Sequence, residues 1–158
     1  MKVGFIGTGL MGFPMAKNLL NSGIKLKAFN RSISKAEPLK DFGAEISNTL
    51  ADVVKDSDFI VTMLTDDTAV EAIMSHSDFL MNLKSGSTVI DMSSIKPTTA
   101  IKYGNILQSK NICYLDAPVS GGTIGAEEAS LAIMVGGEQS VFDNSINIFK
   151  AMGNPTLV

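Results

Sequence analysis

Val3-Gly4-Phe5-Ile6-Gly7-Thr8-Gly9-Leu10-Met11-Gly12 decides the fold of this chain. Val3 to Ile6 is a short apolar run closed by glycine, as expected of a strand buried on both faces of a parallel sheet. Residues 11–21 read as a helix stopped at Ser22-Gly23. Between strand and helix, Gly7 to Gly12 spell G-x-G-x-x-G. That spacing is a weak signal by itself and gains meaning from its place between a strand and a helix. Gly7 permits the tight turn, Gly9 lets a pyrophosphate approach the backbone, and Gly12 lets helix and strand pack closely. The N–H groups of Thr8, Gly9, Leu10 and Met11 are expected to face the phosphates at the positive end of the helix. No Gly-Lys-Ser/Thr follows, so a P-loop is excluded.

Strand and helix signals alternate through the rest of the chain. Strands are expected over 24–29, 59–64, 87–92, 112–115 and 131–135. Helices are expected over 34–40 with Ser34 as cap, from Asn48 or Thr49 to Lys55, and from Asp66 or Asp67 to about His76. Two more are expected from Pro97 onward and over 138–151. Such alternation predicts an α/β fold, a doubly wound and mostly parallel sheet with right-handed crossovers on both faces. No internal repeat or low-complexity tract interrupts it.

Composition narrows the function classes. With 158 residues, 45% of them hydrophobic and 18% charged, the chain is globular, neither disordered nor collagenous. Its single cysteine, Cys113, cannot form an internal disulfide and reads as a small core residue on a strand. Thirteen basic against sixteen acidic residues give −3, so no basic field points to nucleic acid. No apolar run approaches the roughly 20 residues of a membrane span. Met1-Lys2 and the apolar stretch after it imitate a signal peptide, but four glycines and a proline suit a nucleotide loop better. The expected location is cytoplasmic.

In a doubly wound sheet, ligands lie beyond the carboxyl ends of the strands, and further candidates sit there. The second strand ends at Asn30-Arg31-Ser32. An acidic residue at this place would bind a ribose 2′-hydroxyl and repel a 2′-phosphate. Here Asn30 and Ser32 offer neutral donors and Arg31 a guanidinium, which predicts NADP, with NAD bound more weakly. Met63 and Leu64, at the carboxyl end of the strand over 59–64, are candidates to wall the adenosine side. Ser94 follows the strand over 87–92 and is a candidate for the nicotinamide ribose. Lys96 reads as a solvated cation. Asp116-Ala117-Pro118-Val119-Ser120-Gly121-Gly122 places two glycines after a serine, a layout suited to gripping a carboxylate. Residues 123–129 are expected to form a loop. The only histidine, His76, reads as a cap or a solvated side chain, and no His, Cys or carboxylate cluster has metal-ligand spacing.

Phe5-Ile6-Gly7-Thr8-Gly9-Leu10-Met11-Gly12-Phe13-Pro14-Met15-Ala16-Lys17-Asn18-Leu19 closely resembles the signature of the β-hydroxyacid dehydrogenases. That family includes 3-hydroxyisobutyrate dehydrogenase, tartronate semialdehyde reductase, glyoxylate/succinic semialdehyde reductases and, more distantly, 6-phosphogluconate dehydrogenase. Asp116 to Gly122 resembles the family's substrate motif, and Ser94 falls where the family places its nicotinamide-ribose Ser/Thr. The resemblance implies a Rossmann-type cofactor domain and reversible hydride transfer between nicotinamide and a β-hydroxyacid or the matching aldehyde-acid. It implies that Ser120, Gly121 and Gly122 hold a small carboxylate-bearing substrate. The family's proton-handling lysine and its asparagine partner lie on a long helix after the cofactor domain, followed by an all-helical domain that builds the dimer. None of this falls within the 158 residues, and neither Lys96 nor Lys150 fits that motif. Residues 1–153 are therefore expected to be the NADP-binding domain, and 154–158 the start of a connection. The sequence is expected to be a fragment that binds cofactor without turnover. Two alternatives stay open: a stand-alone NADPH-binding module, and an enzyme like 6-phosphogluconate dehydrogenase or the imine reductases.

Overall fold

The structure is a computed structural model that describes residues Met1–Val158. Lys2–Ile6 forms strand β1, and its side chains divide by the two-residue period of a pleated strand. Val3 and Phe5 enter one apolar core while Ile6 enters a second. Phe59–Thr62, strand β4, repeats the division, with Val61 in the first core and Ile60 in the second. A strand buried on both faces needs cover on both, and the helices provide it.

Lys25–Phe29 (β2), Glu45–Ile46 (β3), Thr88–Asp91 (β5) and Cys113–Asp116 (β6) complete a six-stranded sheet in which every pairing is parallel. The order β3-β2-β1-β4-β5-β6 is that of a Rossmann fold, as expected. Gly12–Asn21 (α1) covers the first face with Met15, Ala16 and Leu19. Leu50–Val54 (α2), Asp67–Met74 (α3), Ser77–Asn82 (α4) and Pro97–Ser109 (α5) cover the second with Val53, Val70, Phe79 and Leu107. Local chemistry starts several of these helices. Thr49 Oγ1 accepts the Asp52 N–H, Asp66 Oδ1 accepts the Ala69 N–H, and His76 Nδ1 accepts the Asp78 N–H.

Three expectations about helices and loops need correction. Residues 34–40 form no single helix but parts of two 3-10 turns, Ile33–Lys35 and Glu37–Phe42, and Ser34 caps neither. Pro38 has no N–H to donate into a helix begun at Ser34. Residues 123–129 are not a loop: Gly122–Glu128 is helix α6. Its small residues Gly125 and Ala126 are buried, and Asn18 of α1 donates from Nδ2 to the Ala126 carbonyl at 2.7 Å. The helix over 138–151 is two, Gln139–Asn144 (α7) and Ile146–Met152 (α8). At the break the Ser145 hydroxyl turns back to the Val141 carbonyl, 2.8 Å away.

The strand over 131–135 exists as β8 (Leu131–Val135) but lies outside the main sheet. It is the middle of a second sheet, antiparallel to Val119–Ser120 (β7) and parallel to Gly153–Leu157 (β9). Its burial alternates, with Leu131, Ile133 and Val135 inside and Ala132 and Met134 exposed, so one of its faces is open to water. Residues 154–157, expected to begin a connection, supply most of β9. An antiparallel bridge between Asp116 and Gly136 joins the two sheets at the end of β6.

Candidate functional site

Because β1, β2, β4, β5 and β6 run in parallel, their carboxyl ends form one edge. Hydrogen bonds just past the strands tie the exits together. The Gly7 N–H donates to the Phe29 carbonyl, Met63 N–H to Ile6, Met92 N–H to Thr62 and Ala117 N–H to Asp91, all between 2.8 and 2.9 Å. The candidates after β1, β2, β4, β5 and β6 are thus brought to a common edge.

The glycine loop has a geometry that fits a dinucleotide phosphate bridge. Gly7 has φ of +101°, a conformation that L side chains rarely adopt. A Cβ on Gly12 would fall on the Gly7 carbonyl oxygen. A Cβ on Gly9 would meet nothing within 4 Å, because Gly9 faces open space. The N–H groups of Gly9, Leu10, Met11 and Gly12 donate to no acceptor of the chain. They form a row of free donors at the positive end of a ten-residue helix. Thr8, expected in that row, is not in it. Its N–H donates to Asn30 Oδ1 at 2.9 Å, and its hydroxyl donates to the Lys35 carbonyl at 3.0 Å. The donor row therefore begins one residue later.

Asn30 also differs from expectation. Its Oδ1 holds Thr8 and its Nδ2 donates to the Ser32 carbonyl at 3.0 Å, so both ends of the amide brace the loop. Arg31 and Ser32 are exposed, and Arg31 forms no ion pair. Lys35, not singled out from sequence, lines a cavity of about 740 Å³ with Thr8, Gly9, Leu10, Lys17 and Glu127. The signal for it was a second cation four residues after Arg31 in the same turn.

Beyond β4, Met63 and Leu64 are half-buried, and Ser94 beyond β5 is exposed. Lys96 is exposed, and its N–H donates to Asp67 Oδ2, which the Thr99 hydroxyl also reaches at 2.7 Å. These bonds hold the Asp67 carboxyl below its ordinary range. Ser120 closes β7, and Gly121 and Gly122 have φ of +136° and +62° as the chain turns into α6. The Gly121, Gly122 and Thr123 N–H groups have no acceptor in the chain. Cys113 is half-buried rather than a core residue, and it lines a second cavity of about 580 Å³ with Tyr114, Asp116 and Gly137.

Asp116, at the end of β6, is electrostatically perturbed. Burial, reinforced by the Asp91 carboxylate, pushes its carboxyl from 3.8 to about 6. Its Oδ1 lacks a hydrogen-bond partner. Between these two values the folded chain binds more protons than the unfolded chain, so the Asp116 contribution to stability falls as pH rises through the window and levels off above it. Asp116→Asn removes that titration. It is expected to raise stability by about 1 kcal/mol at pH 8, a figure discounted for partial exposure, and by little at pH 4. Thermal melts at both values check this, and an equal gain at both would refute it.

Residues 2–158 match the family profile described as the NAD-binding domain of 6-phosphogluconate dehydrogenase. The chain belongs to this family of NAD-binding domains. This NAD-binding domain is 41% identical over 161 residues to 2-hydroxy-3-oxopropionate reductase of Escherichia coli, covering 100% of this chain and 54% of that protein. It superimposes with a TM-score of 0.93 and 30% identity on a Mycobacterium tuberculosis 3-hydroxyisobutyrate dehydrogenase solved with L-serine, covering 99% of this chain and 53% of that one. The TM-score is 0.91, with 25% identity, for an imine reductase from Myxococcus stipitatus solved with NADP+, covering 100% of this chain and 55% of that one. The domain spans about half the length of the relatives it matches. Those relatives include oxidoreductases of the hydroxyacid dehydrogenase type. No helix of the domain is long and apolar enough to cross a membrane.

Proposed function

We propose that this chain is the cofactor domain of an NADP-dependent oxidoreductase. The enzyme moves a hydride between nicotinamide and a β-hydroxyacid, or the matching aldehyde-acid, in the manner of 3-hydroxyisobutyrate dehydrogenase. The observation that carries the proposal is the row of free N–H groups from Gly9 to Gly12 beside a glycine that faces open space. A pyrophosphate supplies the acceptors that these donors lack. Gly7 shapes the bend, and Thr8 and Asn30 brace it from behind.

Cofactor choice rests on Arg31, which is exposed, unpaired and next to Ser32 at the end of β2. A guanidinium there pairs with a 2′-phosphate in two parallel hydrogen bonds. Met63, Leu64 and Ser94 line the path between the glycine loop and the reacting end in this reading. Ser120, Gly121 and Gly122 grip the substrate carboxylate with a hydroxyl and free main-chain donors. The relative solved with L-serine, itself a β-hydroxy carboxylate, supports that substrate class. In this proposal residues 1–153 form the body of the cofactor unit, 154–157 complete its strand β9, and the proton-transfer group comes from another part of the enzyme. The full enzyme assembles as a homo-oligomer.

The nicotinamide cofactor supplies the hydride chemistry when bound, while this chain binds and orients it. Fluorescence titration tests the reading. NADPH is expected to bind roughly tenfold or more tightly than NADH, the worth of one charge-assisted contact. Equal affinities would remove the NADP assignment, and no binding of either would remove the cofactor role.

A further inference from the structure

Asp91 is the last residue of β5 and is fully buried. A carboxyl at such a place forfeits its hydration, and the fold returns only part of it. Oδ1 accepts the Thr62 hydroxyl at 2.9 Å and the Ser93 N–H at 3.1 Å, whereas Oδ2 has no partner. No lysine, arginine or histidine pairs with Asp91. The charged or titratable groups it feels are Asp67 at the start of α3 and, on β6, Tyr114 and its register partner Asp116. An apolar side chain of similar size would fill this place without the desolvation cost, so packing alone does not account for the acid.

What the carboxyl does is local and geometric. Thr62 and Asp91 form the last register pair of β4 and β5, and one ladder bond, Met92 N–H to Thr62, follows. Past that bond the Asp91 side chain takes over. It fixes the Ser93 N–H, and the buried Ser93 hydroxyl accepts the Leu64 N–H at 2.8 Å. One carboxylate oxygen thereby links the exits of both strands, the turns that carry Met63, Leu64 and Ser94.

We propose that Asp91 is a positioning residue for dinucleotide binding, which sets the separation between the Leu64 main chain and Ser94 through Thr62 and Ser93. The proposal rests on the reading that Leu64 and Ser94 contact the cofactor. Three variants test it in the 158-residue chain. Asp91→Asn keeps an acceptor at Oδ1, Asp91→Leu removes both acceptors, and Ser93→Ala removes only the acceptor of the Leu64 N–H. NADPH dissociation constants are measured by fluorescence at a temperature where circular dichroism shows each variant folded. Leu64 amide exchange is followed by NMR.

Asp91→Leu is expected to weaken NADPH about tenfold, Ser93→Ala several-fold, and Asp91→Asn by no more than about twofold, each loss matched by faster Leu64 exchange. A folded Asp91→Leu variant with unchanged affinity would overturn the proposal, as would equal losses in the Leu and Asn variants. Should Asp91→Leu fail to fold, Ser93→Ala decides: several-fold weaker binding supports the proposal and unchanged affinity overturns it. A wild-type chain that binds no NADPH would overturn this proposal together with the cofactor reading, whereas a binding wild type with insensitive variants overturns this one alone.

Discussion

Gly12→Ala is expected to destabilise the chain by about 3 kcal/mol and to abolish measurable dinucleotide binding. The new methyl would land on the Gly7 carbonyl oxygen, with a Phe5 ring carbon 3.2 Å away. Neither neighbour can withdraw cheaply. Gly7 is held by its N–H bond to Phe29 and by its left-handed conformation, and Phe5 is a fully buried core side chain. Relief therefore requires the loop to pull away from α1, which scatters the free donors of Gly9, Leu10 and Met11. Gly9→Ala is the informative companion. Its Cβ meets no atom within 4 Å and its φ is not positive, so stability should stay near wild type. Its methyl nevertheless stands where a phosphate must approach, and NADPH affinity should fall on the order of 100-fold, as a lost set of charge-assisted bonds predicts. Denaturant melts and NADPH titrations separate the two effects. A Gly9→Ala variant that binds as well as wild type would mean that the phosphates lie elsewhere.

Arg31→Ala is expected to cut NADPH affinity by roughly 10- to 100-fold while leaving NADH affinity unchanged. Arg31 is exposed and has no ion-pair partner, so no fold contact is lost, and the melting temperature should stay near wild type. The effect should shrink as salt rises, because an exposed pair is screened over a Debye length of about 8 Å at physiological ionic strength. Parallel losses for NADPH and NADH would show that Arg31 acts on a part common to both. A loss of that size removes the expected preference for NADPH over NADH, although Lys35 in the following 3-10 turn keeps a positive charge beside the glycine loop.

The parts that sequence settled are those governed by neighbours a few residues apart. Strand β1, the bend at Gly7 and helix α1 follow from an apolar run, two glycines and a period near 3.6, all within 20 residues. The strand signals behind β4, β5 and β6 are equally local, and their alternation with helices implied a parallel sheet. The helix α6 was not legible, because Gly122 to Glu128 carries little apolar periodicity. It is held by packing on α1 and by the bond from Asn18 to Ala126, 108 residues away.

Contacts across the sheet decided the rest. The free donors begin at Gly9 rather than Thr8 because Asn30, 22 residues on, takes the Thr8 N–H. Asp91 drew no notice within the strand expected over 87–92, yet the bond from Thr62, 29 residues earlier, makes it the tie between two strand exits. Strand β8 showed its type but not its sheet. Dihedral preference and hydrophobic period act over a few residues and are written along the chain. Which distant groups meet depends on strand order and register, and these are set only when the whole apolar surface is buried at once.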